Sequence, residues 1–242
     1  PDSFSDGGKY FVQELAIEHG KKLLKDGADI LDLGGESTRP GAIPVSPDEE
    51  IRRVVPVITE LAKLGAIISV DTRHASVMEK ALDAGATILN DVNALQGNRS
   101  LDVAANSRAS VILMHMRGSP STMMNNTTYG NLVTEVSDYL RLRISVCLSA
   151  GIELERIAID PGFGFGKMQE QNLELVNNLN VLNRHQCPVL VGLSRKFGKH
   201  KPAEERLPES LAVTIKSVIN GANIVRVHDV AETRDALAAI QN

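Results

Sequence analysis

The sequence predicts an α/β chain folded as a (β/α)8 TIM barrel, and three observations carry that reading. Short apolar runs of strand length alternate with segments of helical periodicity along the whole 242 residues. Each apolar run stops abruptly on charged, hydroxyl, amide or glycine residues, as barrel strands do where they present chemistry. Four of the runs are entered through one punctuation, Gly27-Ala28, Gly65-Ala66, Gly85-Ala86 and Gly221-Ala222, which marks a repeated βα unit. Near-continuous apolar strands joined by helices imply a parallel sheet covered on both faces. A length near 250 without a linker favours a closed barrel over an open doubly wound sheet.

In chain order, residues 1–8 (PDSFSDGG) form a loop with neither the basic nor the apolar segment of a signal peptide. A helix over 10–26 follows, with Phe11, Leu15, Leu23 and Leu24 at helical spacing and Gly27 closing it. The strand 28–33 breaks into Gly34, Gly35, Glu36, Ser37, Thr38 and Arg39, and Pro40-Gly41 turns the exit. Pro47 and three acids open a helix to about 64. Strand 66–70 ends on Asp71-Thr72-Arg73, and a helix runs to about 84. Strand 87–89 ends on Asn90-Asp91, with a short helix near 100–105. Strand 110–114 ends on His115-Met116-Arg117; a polar loop, 118–130, leads to a helix over 131–150. Strand 157–159 ends on Asp160-Pro161-Gly162, before a helix over 169–184. Strand 189–193 ends on Ser194-Arg195-Lys196, before a helix over 208–220. Strand 224–227 contains Arg226 and ends on His228-Asp229, and a helix over 231–240 closes the chain. Seven strands are one short of eight. The first barrel strand is therefore expected before Pro1, with 1–242 as a single, N-terminally incomplete domain.

A net charge of −4 and a pI near 5.9 give no reason to expect nucleic acid or an anionic membrane surface. No apolar run approaches the ~18 residues needed to cross a bilayer. Cys147 and Cys187 read as reduced packing residues, which suits the cytoplasm. No His or Cys pair has metal-ligand spacing, so zinc is not expected.

The strand ends fall into two chemical kinds. Asp71, Asn90 and Asp160 offer acceptors and an amide, which suit a flat heterocycle bearing N–H groups. Ser37, Thr38, Arg39, Lys196, Arg226 and His228 offer donors and positive charge, which suit phosphate or carboxylate. One site with both points to group transfer from an activated heterocycle. Plainer readings stand beside this: an Asp at a strand end, Asp71 included, often only caps a helix, and Asp91 reads as structural. His115, between two methionines, reads at least as well as a satisfied core residue. His19, His74, His185 and His200 read as surface residues. The 162–167 segment GFGFGK looks like a phosphate cradle but matches neither the Walker pattern nor GxGxxG. Phe165, raised on the rim by glycines, and Phe4 in the opening loop point to an aromatic second substrate in an aromatic-poor chain.

Eight segments then resemble the dihydropteroate synthase family: PDSFSDGG at 1–8, LDLGGESTRPGA at 31–42, ISVDT at 68–72, ILNDV at 88–92, LMHMRGSP at 113–120, DPGFGFGK at 160–167, VGLSRK at 191–196 and RVHDV at 226–230. They span the chain in order and sit at strand ends. The resemblance implies a pterin ring held by Asp71, Asn90, Asp160 and Lys196, with Arg226 stacked on it. It implies pyrophosphate held by Arg39, Arg226 and His228, and p-aminobenzoate held by Phe4, Thr38, Pro40, Phe165, Ser194 and Lys196. Asp71, Asp160, Lys196, Arg226 and His228 are the implied catalytic set. The implied reaction is attack of the arylamine on the pterin methylene with loss of pyrophosphate, assisted by Mg2+, in a cytoplasmic homodimer. The family's metal-contacting Asn falls two residues before the Pro matching Pro1, outside this sequence. Residues 197–202 (FGKHKP) depart from the family's longer hydrophobic and Ser run. Some members carry a fused upstream pterin pyrophosphokinase domain. The alternatives are a pterin-binding methyltetrahydrofolate methyltransferase, which has no need of Thr38-Arg39-Pro40, and a catalytically silent homologue.

Overall fold

A computed structural model describes residues 13–38, 41–198 and 200–241. In order its elements are α1 (Gln13–Lys25), β1 (Ile30–Gly34), α2 (Pro47–Ala62), β2 (Ile67–Asp71), α3 (Ala75–Asp83), β3 (Ile88–Asp91), α4 (Ser100–Asn106) and β4 (Ser110–Met114). They continue with α5 (Leu132–Ser149), β5 (Ile157–Asp160), α6 (Gln169–Asn177), β6 (Leu190–Val191), α7 (Leu207–Ile219), β7 (Ile224–Val225) and α8 (Val230–Gln241). β1 to β5 pair in chain order, all parallel, and β6 pairs parallel with β7. A parallel bridge between Ile159 and Val189 joins the two sets. The wall curls far enough for Arg226, just past β7, to reach Asp32 in β1. This is the parallel wall of a TIM barrel with helices outside it.

The period of two along each strand divides the residues between two faces. Leu31, Ile68, Val70, Leu89, Val111, Leu113, Ile157, Ile159, Val189 and Val191 face the helices and belong to one buried core. Val54, Ile58 and Leu61 of α2 and Leu140 and Ile144 of α5 meet them there. The alternate residues Ile30, Asp32, Ser69, Ile88, Ala158, Leu190 and Ile224 line a cavity of about 210 Å³ on the inner face. The inner face is thus mixed, with Asp32 and Ser69 standing among apolar residues, while the outer positions are given to packing.

Local chemistry sets the helix starts. Ser46 Oγ accepts from Glu49 N at 3.3 Å at the head of α2, and Asn131 Oδ1 accepts from Thr134 N at 3.0 Å at the head of α5. One expected helix breaks in two. The 169–184 segment is α6 to Asn177 and then a 3-10 segment, Leu179–His185. Asn178 Nδ2 donates to Glu174 O at 2.8 Å, a local bond that competes with the helical ladder. Leu179 and Leu182, three apart, are buried as 3-10 geometry requires. Among the described residues no helix is long and apolar enough to cross a membrane. Cys147 and Cys187 are buried and unpaired with each other.

Candidate active site

Strand register brings the expected residues together at the carboxyl ends of the wall. Asp71 of β2 lies beside Asn90 of β3, and Asp160 of β5 beside Met114 of β4. Arg226 crosses the mouth: its Nη1 donates to Asp32 Oδ2 at 2.9 Å and to Asp71 Oδ2 at 3.1 Å. Asn90 Nδ2 donates to Asp32 Oδ2 at 3.1 Å. Gly192 makes room for this arrangement, since a Cβ there would stand 3.1 Å from Arg226 Nε. Asp71 does not cap a helix; His74 occupies that position before α3. Its Oδ1 is instead buried with no hydrogen-bond partner among the described residues. A buried acceptor without a partner is rare enough to need an explanation.

The site is electrostatically loaded. Burial, then repulsion from the Asp32 carboxylate, pushes Asp71 up to about 7 against the pull of Arg226. Burial also raises Asp160, opposed by Arg226 and the Gly162 N–H. Lys196 is lowered to about 8 by burial and then by Arg226, with Asp160 and Asp71 opposing. Burial works against the Arg226 cation, but Asp32, Asp71 and Asp160 outweigh it and raise its pKa further.

The loop after β5 carries the other half. Lys196 Nζ donates to Phe163 O at 2.7 Å and stands 5.1 Å from the centre of the Phe165 ring. Arg195, just before it, has a left-handed φ of 60°, a strain sustained by its ion pair with Asp229 at 2.7 Å. Phe165 is not raised on the rim as expected. It is 7% exposed and packs with Val92, Met114, Met116 and Met123, an apolar ledge beside the polar floor. The same loop is no phosphate cradle: Lys167 is 2% exposed, with its ammonium among protein acceptors. Burial lowers Lys167 to about 7 and His115 to about 2. Gly162 cannot be replaced, because a Cβ there would lie 1.9 Å from His115 O.

Ser194 Oγ is 2.9 Å from His228 Nδ1 and also accepts from His228 N, so it orients that ring. Arg117 turns away from the mouth, stacking 3.7 Å from the Tyr129 ring and pairing with Glu135. Asp91 is structural, as read: it accepts from Asn93 N at 2.7 Å and Leu95 N at 2.9 Å. His74 is not a surface residue; its Nδ1 lies 2.8 Å from the buried Glu50. Thr38 is half-buried. Phe4, Arg39 and Pro40 lie outside the described residues.

Four residues of the site escaped the sequence reading of roles. Asp32 was visible as a charge on the inner period of an apolar strand, though its bonds to Arg226 and Asn90 were not. Glu36 reads like its polar neighbours, yet it takes a two-pronged bond from Arg73 at 2.8 and 3.0 Å and accepts from Val45 N at 3.0 Å. It thereby ties the end of β1 to Arg73 and to the backbone before α2. Lys167 stood out only as the end of a possible phosphate cradle, and Gly192 gave no signal. Among the described residues no group of three His, Cys, Asp or Glu side chains comes together as a metal cage.

Chemically, the floor offers an unsatisfied carboxylate oxygen and further acceptors to ring N–H groups, and cations to an anion above them. Comparison with known proteins agrees in kind. A sequence profile described as pterin binding enzyme matches residues 1–228. A dihydropteroate synthase of Neisseria meningitidis serogroup B is 48% identical over 248 residues, covering 98% of this chain and 87% of that one. The Yersinia pestis dihydropteroate synthase in a sulfonamide drug complex superposes with a TM-score of 0.97 at 41% identity, over 100% of this chain and 90% of that one. The Xanthomonas albilineans dihydropteroate synthase with 4-aminobenzoic acid gives a TM-score of 0.90 at 44% identity, over 98% and 87%.

Proposed function

The chain belongs to the pterin-binding enzyme family, and we propose that it works as a dihydropteroate synthase. It condenses 6-hydroxymethyl-7,8-dihydropterin pyrophosphate with p-aminobenzoate to 7,8-dihydropteroate and pyrophosphate. The observation that carries this is Asp71 Oδ1, buried at the mouth and without a partner among the described residues, where a pterin's ring N–H groups would supply the donor. The test is incubation with both substrates and Mg2+, followed by chromatography for dihydropteroate. Product, reduced by a chelator, is expected; measurable pterin binding without product would favour the silent homologue.

In the reaction, a C–N bond forms between the amine and the pterin methylene as the C–O bond to pyrophosphate breaks, and the amine's proton leaves to water. Asp71, Asn90, Asp160 and Lys196 hold the polar edges of the ring. The carboxylates of Asp71 and Asp160 oppose the positive charge that develops on ring and methylene as pyrophosphate departs, an interaction stronger in the transition state than before it. Arg226, Arg39 and His228 take up the charge of the leaving group. Phe165, Ser194 and Lys196, with Phe4, Thr38 and Pro40, form the p-aminobenzoate side; the buried ring of Phe165 supplies a flat apolar wall. Mg2+, when bound, would offset part of the leaving pyrophosphate's charge beside Arg226 and His228; the Asn that the resemblance assigns to it lies outside this sequence. We place the enzyme in the cytoplasm as a homodimer, in keeping with its buried thiols and with Leu173 and Ile219, which stand exposed on neighbouring helices α6 and α7.

Gly192 offers a mild probe. Gly192→Ala pushes a methyl against the Arg226 guanidinium, now 3.1–3.2 Å from that point. Pterin pyrophosphate affinity, read by calorimetry, should fall by about tenfold, roughly one charged hydrogen bond, with little change in melting temperature.

A further inference from the structure

We infer that Lys167 is a positioning residue for the p-aminobenzoate half of the site, acting through Phe165 and Lys196. The inference rests on the function proposed above and adds a residue to it. Lys167 is buried, and its Nζ donates to Gly162 O at 2.9 Å, Phe165 O at 3.0 Å and His115 Nδ1 at 2.8 Å. An ammonium has three N–H donors and no acceptor, so these partners use its full capacity. Burying a cation without a hydrogen-bonded carboxylate is costly, and the loop geometry it enforces is what the site gains.

What it ties is specific. Gly162 and Phe165 flank Phe163, whose carbonyl accepts from Lys196 Nζ at 2.7 Å. Phe165 also carries the ring that faces Lys196. His115 anchors the same knot to the end of β4. Lys167 thus holds from beneath the two groups that the arylamine meets from above. Weaker ties reach the loop from outside: Tyr129 Oη donates to Gly166 O at 2.9 Å, and Asn172 Oδ1 accepts from Gly164 N at 2.9 Å. Asp160, by contrast, is held by the sheet and its own turn. Its carbonyl accepts from His115 N at 2.9 Å and its Oδ1 from Gly162 N at 2.7 Å. Lys196 and, through Gly162, Asp160 also serve the pterin, but Phe165, tied directly by Lys167, serves only the arylamine, so loosening Lys167 should be felt most by the arylamine and less by the pterin.

The test compares Lys167→Met with the wild-type protein, measuring KM for p-aminobenzoate, calorimetric Kd for dihydropterin pyrophosphate and melting temperature. The expected result is a rise of about tenfold or more in the p-aminobenzoate KM, since small misplacements of binding groups carry such costs. The pterin Kd should change by less than about threefold, well under the energy of one charged hydrogen bond. Should Lys167→Met not yield folded protein, Lys167→Arg serves. It keeps the charge, but its planar donors cannot meet three acceptors around one nitrogen, so a smaller split in the same direction is expected. Equal weakening of both substrates, or an unchanged p-aminobenzoate KM in a folded variant, overturns the inference. A wild-type protein that makes no dihydropteroate overturns the function instead, which keeps the two failures apart.

Discussion

Arg226→Met should lower kcat/KM by about a thousandfold or more and weaken the fold by about 2–3 kcal/mol. The kinetic part follows from removing the cation that faces both the ring and the leaving group, at the upper end of what one electrostatic group contributes. The stability part follows from leaving Asp32, Asp71 and Asp160 together without their counter-charge. Removing one partner of a fully buried pair costs about 3–5 kcal/mol. The Arg226 side chain is 28% exposed, which screens part of that. The sign with pH is fixed. Without the guanidinium Asp71 and Asp160 hold folded-state pKa values still further above their unfolded ones, and ionising them opposes folding. The deficit therefore grows as pH rises through the wild-type folded-state value, about 7 for Asp71, and is small well below it. Urea unfolding at pH 8 and pH 5 reads this directly; equal deficits at the two would contradict the charge argument.

Asp71→Asn is the second large effect. It keeps the size of the side chain and removes the charge, so kcat/KM should fall by about a hundred- to a thousandfold. The wild-type profile of kcat/KM against pH should be bell-shaped. Its acid limb lies near 7, because activity is lost as a proton neutralises Asp71, and its alkaline limb near 8, as Lys196 loses its proton. Asp71→Asn should lose the acid limb and keep the alkaline one. Full turnover by the variant, or an acid limb that stays in place, would remove Asp71 from the chemistry.

These residues were readable in advance because of where strands end. Asp71, Asn90 and Asp160 each close an apolar run, and the barrel converts that position into a place at the mouth. Arg226 stood out as a charge within a short apolar strand. What could not be read was partnership. Nothing in one dimension says that Asp32 meets a residue 194 positions away, or that Gly192 is empty so that a guanidinium can fit. Glu36 sits among hydroxyl residues that look alike, and only the fold reveals that Arg73 holds it. Lys167 ends a glycine-rich run that looks like a phosphate cradle, because three acceptors assembled from two loops leave no trace in spacing. The break at Asn178 was missed for a related reason: the apolar pattern continues through it while the hydrogen bonding changes.

The alternation of faces along the wall bears on how this chain can change in length. Val70 and Asp71 are neighbours in sequence, one packed against helices and the other at the mouth. One residue inserted within β2 would exchange the two, sending a carboxylate into the apolar layer and a methyl-bearing side chain into the mouth. Packing and chemistry would be lost in one step. The polar connection from 118 to 130 sets no such parity. Growth and shrinkage of the gene should therefore be confined to the connections, while the strand segments keep their residue count fixed.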